Sequence, residues 1–164
     1  MESVLPLLSL LTYVGIVLGA VPAVALSFVL ARWVAFERAL ATVVGLPVLV
    51  AVLGALVLGG PVAGLVVAAT ALTLVVVPLL VGVALVSTRA DGDAGVALRR
   101  VALAWPVALF VSAGVFFLPG GVTRYNVTFL DQLVALLALG FVVSIVLLGP
   151  GIMGMLSLRR RGTR

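Results

Sequence analysis

Long stretches without a single charged residue are the feature that most constrains this chain. Residues 3–31 form 29 consecutive uncharged positions, and residues 39–88 form 50. Two further uncharged stretches follow at 101–123 and 132–158. Because an α-helix rises about 1.5 Å per residue, about 20 apolar residues cross the roughly 30 Å hydrocarbon core of a bilayer. The pattern predicts an all-α integral membrane protein.

The composition agrees with that fold class. Of the 164 residues, 65% are hydrophobic and 9% are charged, whereas an average globular domain carries roughly 25% charged residues. A soluble protein of this size has a large surface to cover with polar groups. We therefore expect lipid to contact most of the surface, and we treat residues 1–164 as a single transmembrane domain.

The 50-residue stretch is too long for one crossing and suits two. Its natural break is Gly59-Gly60-Pro61, since glycine permits a tight turn and proline is well tolerated at the start of a helix. Strands of a membrane barrel would alternate polar and apolar residues, whereas these stretches are apolar on every side. The sequence thus predicts a bundle of about five transmembrane helices with a basic tail at 149–164, the helices lying near 4–31, 39–58, 62–87, 100–118 and 128–148.

The arginines predict the orientation of the bundle. The connections at 32–38 and 88–100 and the terminal segment 159–164 hold nine of the ten arginines, and the opposite side holds only Arg124. Positively charged residues are enriched in cytoplasmic loops. We therefore expect a multi-pass protein of the cell (plasma) membrane, with its amino terminus outside and its carboxyl terminus in the cytoplasm.

The same arginines are expected to mark the inner interface and to contact lipid headgroups. Tryptophan is enriched at membrane interfaces, so Trp33 and Trp105 are expected at this level too. The arginines assigned to topology and headgroup contact are Arg32, Arg38, Arg99, Arg100, Arg159, Arg160 and Arg161.

Small residues recur every fourth position along the first predicted helix, at Gly15, Gly19, Ala23 and Ser27. Residues four apart share one face of a helix, and small side chains let two helices approach closely in lipid. The stripe is interpreted as a packing face, either for another helix of this chain, which we favour, or for another subunit. Gly60 and Gly64 form a second, shorter case.

Asp131 is the one acidic residue that is expected near the apolar part of a span. An acid inside the membrane suggests a proton or cation site. However, Thr128 stands three residues earlier, as in a capping box that opens a helix, and Arg124 is close enough in sequence for an ion pair. The capping interpretation is preferred, and the polar-site alternative stays open.

The residue types exclude several classes of function. The chain has no cysteine and no histidine, which removes the usual thiolate and imidazole ligands and the commonest general base. No nucleotide-binding or hydrolase motif occurs, and the arginines flank apolar helices rather than form a nucleic-acid surface. We expect no enzyme activity, metal, cofactor or nucleic-acid partner. The hypothesis is an accessory or structural subunit that acts through helix–helix contacts with other membrane subunits or with itself; the alternative is a small oligomeric channel or transporter.

Overall fold

The structure, a computed structural model, describes residues 4–88, 93–117 and 129–159. These ranges contain helices and no strand, which confirms the all-helical prediction for the described part of the chain. The elements are α1 (Val4–Leu30), α2 (Phe36–Ala71), a π-helical turn (Leu72–Val76), α3 (Val77–Ser87), α4 (Ala94–Phe117) and α5 (Phe129–Arg159).

Among the described residues, three helical segments are long and apolar enough to cross a membrane by length and composition: Leu7–Leu30, Phe36–Ser87 and Ala94–Val115. Their outer surfaces carry large apolar side chains. Leu58 is 90% exposed, and Leu65 and Leu80 are also exposed. Soluble monomers rarely leave extended apolar surfaces in contact with water. The surface is therefore compatible with a membrane protein.

The long segment Phe36–Ser87 reverses direction at Gly60. This residue has φ 77° and ψ −175°, a backbone conformation that favours glycine. Val44, before the turn, and Leu79, after it, pack against the same core cluster. A straight helix would hold them about 50 Å apart. The segment is thus a hairpin, called here the α2 hairpin, with arms at 36–59 and 61–87, and its turn lies at the predicted break.

The core lies where α1, the second arm of the α2 hairpin, α4 and α5 meet. Its buried members are Val17, Ala20, Val24, Leu74, Val75, Trp105, Leu109 and Val146. Smaller clusters extend this core toward the end of the bundle at which α1 ends and α4 begins. We call this end the arginine end, because it carries Arg32, Arg38, Arg99 and Arg100.

Helix α4 begins six residues before the predicted span, because an aspartate caps it. The Asp93 carboxylate accepts the backbone N–H of Gly95 at 2.9 Å and of Val96 at 3.1 Å. These N–H groups have no partner within the helix, and a side-chain oxygen at the cap satisfies them. Arg99 and Arg100 therefore lie within the first two turns of α4, not in a loop.

Helix α5 extends further than the sequence predicts. A span ending at 148 is expected from Gly149-Pro150-Gly151, yet the helix continues through this tripeptide to Arg159. Pro150 removes one helical hydrogen bond. However, Pro150 and Gly151 are both buried, and Gly151 lies against α3. Packing between helices therefore offsets the local cost of the proline.

Candidate functional site

A groove of about 610 Å³ opens between α1 and the two arms of the α2 hairpin. Its walls are almost entirely apolar, with Thr12 the one hydroxyl side chain among them. Glycine and alanine make up much of its lining. The lining residues are Leu8, Leu11, Thr12, Gly15, Ile16, Pro47, Val48, Ala51, Gly54, Ala55, Leu58, Gly59, Ala63, Val67 and Ala71. A groove of this chemistry can accept the apolar side chains of a helix.

The predicted stripe of small residues on α1 is covered at one end and open at the other. Ser27 is completely buried, and its hydroxyl donates to the Ala23 carbonyl at 2.7 Å. Gly15 and Gly19 are exposed, and a Cβ added at either would meet nothing within 4 Å. Gly15 also lines the groove. Whether another subunit covers this open end stays a prediction.

The second glycine pair lies at the turn of the α2 hairpin. Gly60 supplies the positive φ of the reversal. Gly64 is buried, and a Cβ there would collide with the Leu56 side chain from the other arm. Glycine at 64 therefore lets the two arms approach each other closely, as small residues do in membrane helix pairs.

Two pairs of hydroxyl groups join α1 to the rest of the bundle. Tyr13 Oη and Ser112 Oγ lie 2.9 Å apart, which links α1 to α4. Ser9 Oγ and Thr70 Oγ1 lie 3.3 Å apart, which links α1 to the α2 hairpin. Ser112 is fully buried and donates to the Leu109 carbonyl. In lipid, side-chain hydrogen bonds of this kind hold helices together.

A tryptophan side chain donates to a backbone carbonyl in the turn that precedes a proline. Pro78 has no N–H for the carbonyl of Leu74, one turn before it. The backbone is locally π-helical here, with the Val77 N–H bonded to the Leu72 carbonyl. Trp105 Nε1 donates to the Leu74 carbonyl at 2.8 Å.

The placement of Trp105 at the level of the inner interface stays a prediction, but its side chain packs in the core and not on the surface of the bundle. This side chain is 1% exposed in the core, whereas Trp33 is 74% exposed in the connection after α1. Pro78 and Trp105 are 27 positions apart in the sequence, and no local spacing indicates that they lie together.

Helices α3, α4 and α5 also approach closely at glycines that lie outside the predicted stripes. A Cβ on Gly82 in α3 would lie 2.5 Å from a methyl of Val101 and 3.4 Å from the Gly151 nitrogen. A Cβ on Gly151 would lie 3.2 Å from the Gly82 Cα, and one on Gly154 would lie 2.8 Å from Val86. Here the backbones of α3 and α5 nearly touch, and α4 packs against them through the Val101 side chain. Small residues allow this close approach.

Aromatic and cationic side chains pack together at the arginine end. The rings of Phe28 and Phe36 lie 4.7 Å apart at 43°. Arg99 Cζ stands 5.7 Å from the centre of the Phe36 ring, and Arg100 donates to Ser157 Oγ at 3.0 Å. These contacts tie α1, α2, α4 and α5 together where the chain carries its charge.

Several predicted residues lie outside the part that the structure describes. Arg124, Thr128, Arg160 and Arg161 fall outside the described ranges. For Asp131 and Arg159 the structure describes the backbone of α5 but not the side chain. The capping and polar-site hypotheses for Asp131 both stay predictions.

The side chains described above pack and hydrogen-bond the helices to one another. Within the described ranges, no group of three His, Cys, Asp or Glu side chains converges to hold a metal ion. The hydroxyl pairs and the glycine contacts join helices to one another. No protein-family model, curated protein or solved structure matches this chain.

Proposed function

We propose that this chain is a five-span subunit of a plasma-membrane assembly and that it acts through helix–helix contact, without catalysis. The observation that carries the proposal is the open groove between α1 and the α2 hairpin. Gly15, Gly54 and Gly59 line the groove without a side chain, which leaves room for the side chains or the backbone of another helix.

The five spans come from the helices and the charge pattern together. The α2 hairpin supplies two crossings, because each arm has more than the about 20 residues that a crossing needs. Helices α1, α4 and α5 supply one each. The nine-to-one distribution of arginines supports an external amino terminus and a cytoplasmic carboxyl terminus.

The polar side chains in the helices support a structural role over conduction. The hydroxyls of Thr12, Thr70 and Thr73 each donate to a carbonyl four residues earlier on the same helix. The Tyr13 and Ser112 hydroxyls pair with each other. Ion pathways usually carry ionisable groups or a continuous polar lining, whereas these hydroxyls bond to carbonyls of their own helix or to each other.

Photo-crosslinking in native membranes tests the proposed contact surface. A photo-reactive side chain at Leu11 faces the groove, and one at Leu80 serves as the matched control on another face. The two leucines are similarly exposed, at 60% and 66%. We expect a stoichiometric cross-link to one other membrane protein from position 11 and none from position 80.

Two results would count against the subunit proposal. A cross-link only between copies of this chain, in a symmetric oligomer, would favour the channel alternative. Lipid adducts alone at both positions, with the purified chain monomeric in mild detergent, would show that no protein occupies the groove.

A further inference from the structure

One arginine at the arginine end is held in place by an aromatic side chain. Arg99 Cζ lies 5.7 Å from the centre of the Phe36 ring, within the distance at which a cation is attracted to the ring face. Phe36 is itself 1% exposed and is packed against Phe28. The guanidinium of the exposed Arg99 therefore lies over a ring that is itself fixed by packing.

Arg99 retains its hydrogen-bonding capacity in this position. A guanidinium has five N–H donors, and the contact with a ring uses none of them as a conventional hydrogen bond. Among the side chains that the structure describes, none forms a hydrogen bond or ion pair with Arg99. Its neighbour Arg100, by contrast, donates to Ser157 Oγ.

The position of Arg99 along α4 suits the level of lipid phosphates. Helix α4 begins at Ala94, so Arg99 lies about 8 Å along the helix axis from its start. The residues that follow it, from Val101 onward, are uncharged and apolar. The guanidinium therefore lies where the aqueous connection gives way to the proposed membrane span.

The charge of this end favours an anion. Four arginines lie here, and the described carboxylates are Glu37 and Asp93. Asp93 is engaged in capping α4. Glu37 is in the first turn of α2, where the positive end of the helix dipole stabilises a carboxylate. The Glu37 carboxylate also lies near Gly95, one turn of α4 before Arg99. Four arginines against these two carboxylates leave a net positive charge among the described residues of this end.

We propose that Arg99 binds the phosphate of an anionic phospholipid headgroup, with Phe36 as its positioning residue. A guanidinium donates two parallel hydrogen bonds to two phosphate oxygens, which an ammonium does not match. The inference rests on the proposed membrane spans but not on the subunit role, so its failure would leave the groove proposal untouched.

Binding of defined lipids to the purified full-length chain tests this site. Phosphatidylglycerol, phosphatidylcholine and inorganic phosphate are titrated in detergent, and the bound fraction is measured by native mass spectrometry together with thermal stability. We expect phosphatidylglycerol to bind at least tenfold more tightly than phosphatidylcholine, and inorganic phosphate to have no effect.

Substitutions separate a defined site from general attraction. Arg99→Gln should weaken phosphatidylglycerol binding by about tenfold or more, since it removes both the charge and the paired donors. Arg100→Gln is the matched control on the same helix, where the loss of one surface charge should cost about fivefold or less. Arg99→Lys keeps the charge and the fold, and it should still weaken binding several-fold.

Four results would overturn the proposal. Equal losses in Arg99→Gln and Arg100→Gln, or full affinity in Arg99→Lys, would show general electrostatic attraction. Equal binding of the two lipids would exclude selection of an anionic headgroup. Protection by inorganic phosphate as strong as that by phosphatidylglycerol would indicate a site for a free anion.

Discussion

Replacing Trp105 by alanine is expected to lower the free energy of unfolding by about 3–5 kcal/mol. The substitution empties the centre of the core, where the indole is 1% exposed, and it leaves the Leu74 carbonyl without the donor that Trp105 provides. The measurement is reversible unfolding of the purified chain in mixed micelles. Trp33→Ala is the matched control, since Trp33 is 74% exposed, and its effect should stay within about 0.5 kcal/mol.

A double-substitution cycle isolates the hydrogen bond from the packing. Trp105→Phe keeps an aromatic ring but removes the N–H. The loss of this donor to the buried Leu74 carbonyl should lower the free energy of unfolding by about 1–3 kcal/mol. Pro78→Ala restores a backbone N–H one turn after Leu74. In that background the cost of Trp105→Phe should shrink. The same cost in both backgrounds would contradict the partnership of Pro78 and Trp105.

Replacing Gly82 by alanine is expected to destabilise the chain by about 1–3 kcal/mol, and Gly82→Leu by more. The added Cβ would lie 2.5 Å from a Val101 methyl and would push α3 away from α4 and from Gly151. The thermal unfolding midpoint in detergent reports the loss. In a helix without such a contact, replacing glycine by alanine stabilises by up to about 1 kcal/mol. We therefore expect Gly82→Ala to destabilise the chain only because of the contact with Val101.

Gly45 and Gly19 are the controls for the direction of the stability change in Gly82→Ala. A Cβ at either position would meet nothing within 4 Å. Gly45→Ala and Gly19→Ala should therefore leave the unfolding midpoint unchanged or raise it. If Gly82→Ala also raised the midpoint, the close approach of α3, α4 and α5 would be refuted.

The helices and the hairpin turn follow from local features of the sequence. Uncharged stretches of membrane length predict the helices, and Gly59-Gly60-Pro61 predicts the turn, because backbone freedom and proline geometry are properties of those residues alone. The ends of the helices were less predictable. Because Asp93 caps α4, this helix begins earlier than predicted. Helix α5 continues through the buried Pro150 and ends later than predicted.

The partners of each residue depend on tertiary packing, which a single sequence does not specify. The spacing of Gly15 and Gly19 indicates a stripe but not whether it is covered, and the structure leaves both exposed. The glycines that α3 and α5 bring together, Gly82 and Gly151, are 69 positions apart and belong to no common pattern. Trp105 is likewise of a residue type that is common at membrane interfaces, and its place in the core and its bond to the Leu74 carbonyl are seen only in the structure.

Single cysteines test the five-span membrane topology most directly, because the chain has no native cysteine. Trp33→Cys, Gly92→Cys and Gly121→Cys are expressed one at a time in intact cells and treated with a membrane-impermeant thiol reagent. We expect Gly121→Cys to react from outside, and Trp33→Cys and Gly92→Cys to react only after the membrane is opened. Labelling of Gly92→Cys and Gly121→Cys from the same side would contradict the five-span topology.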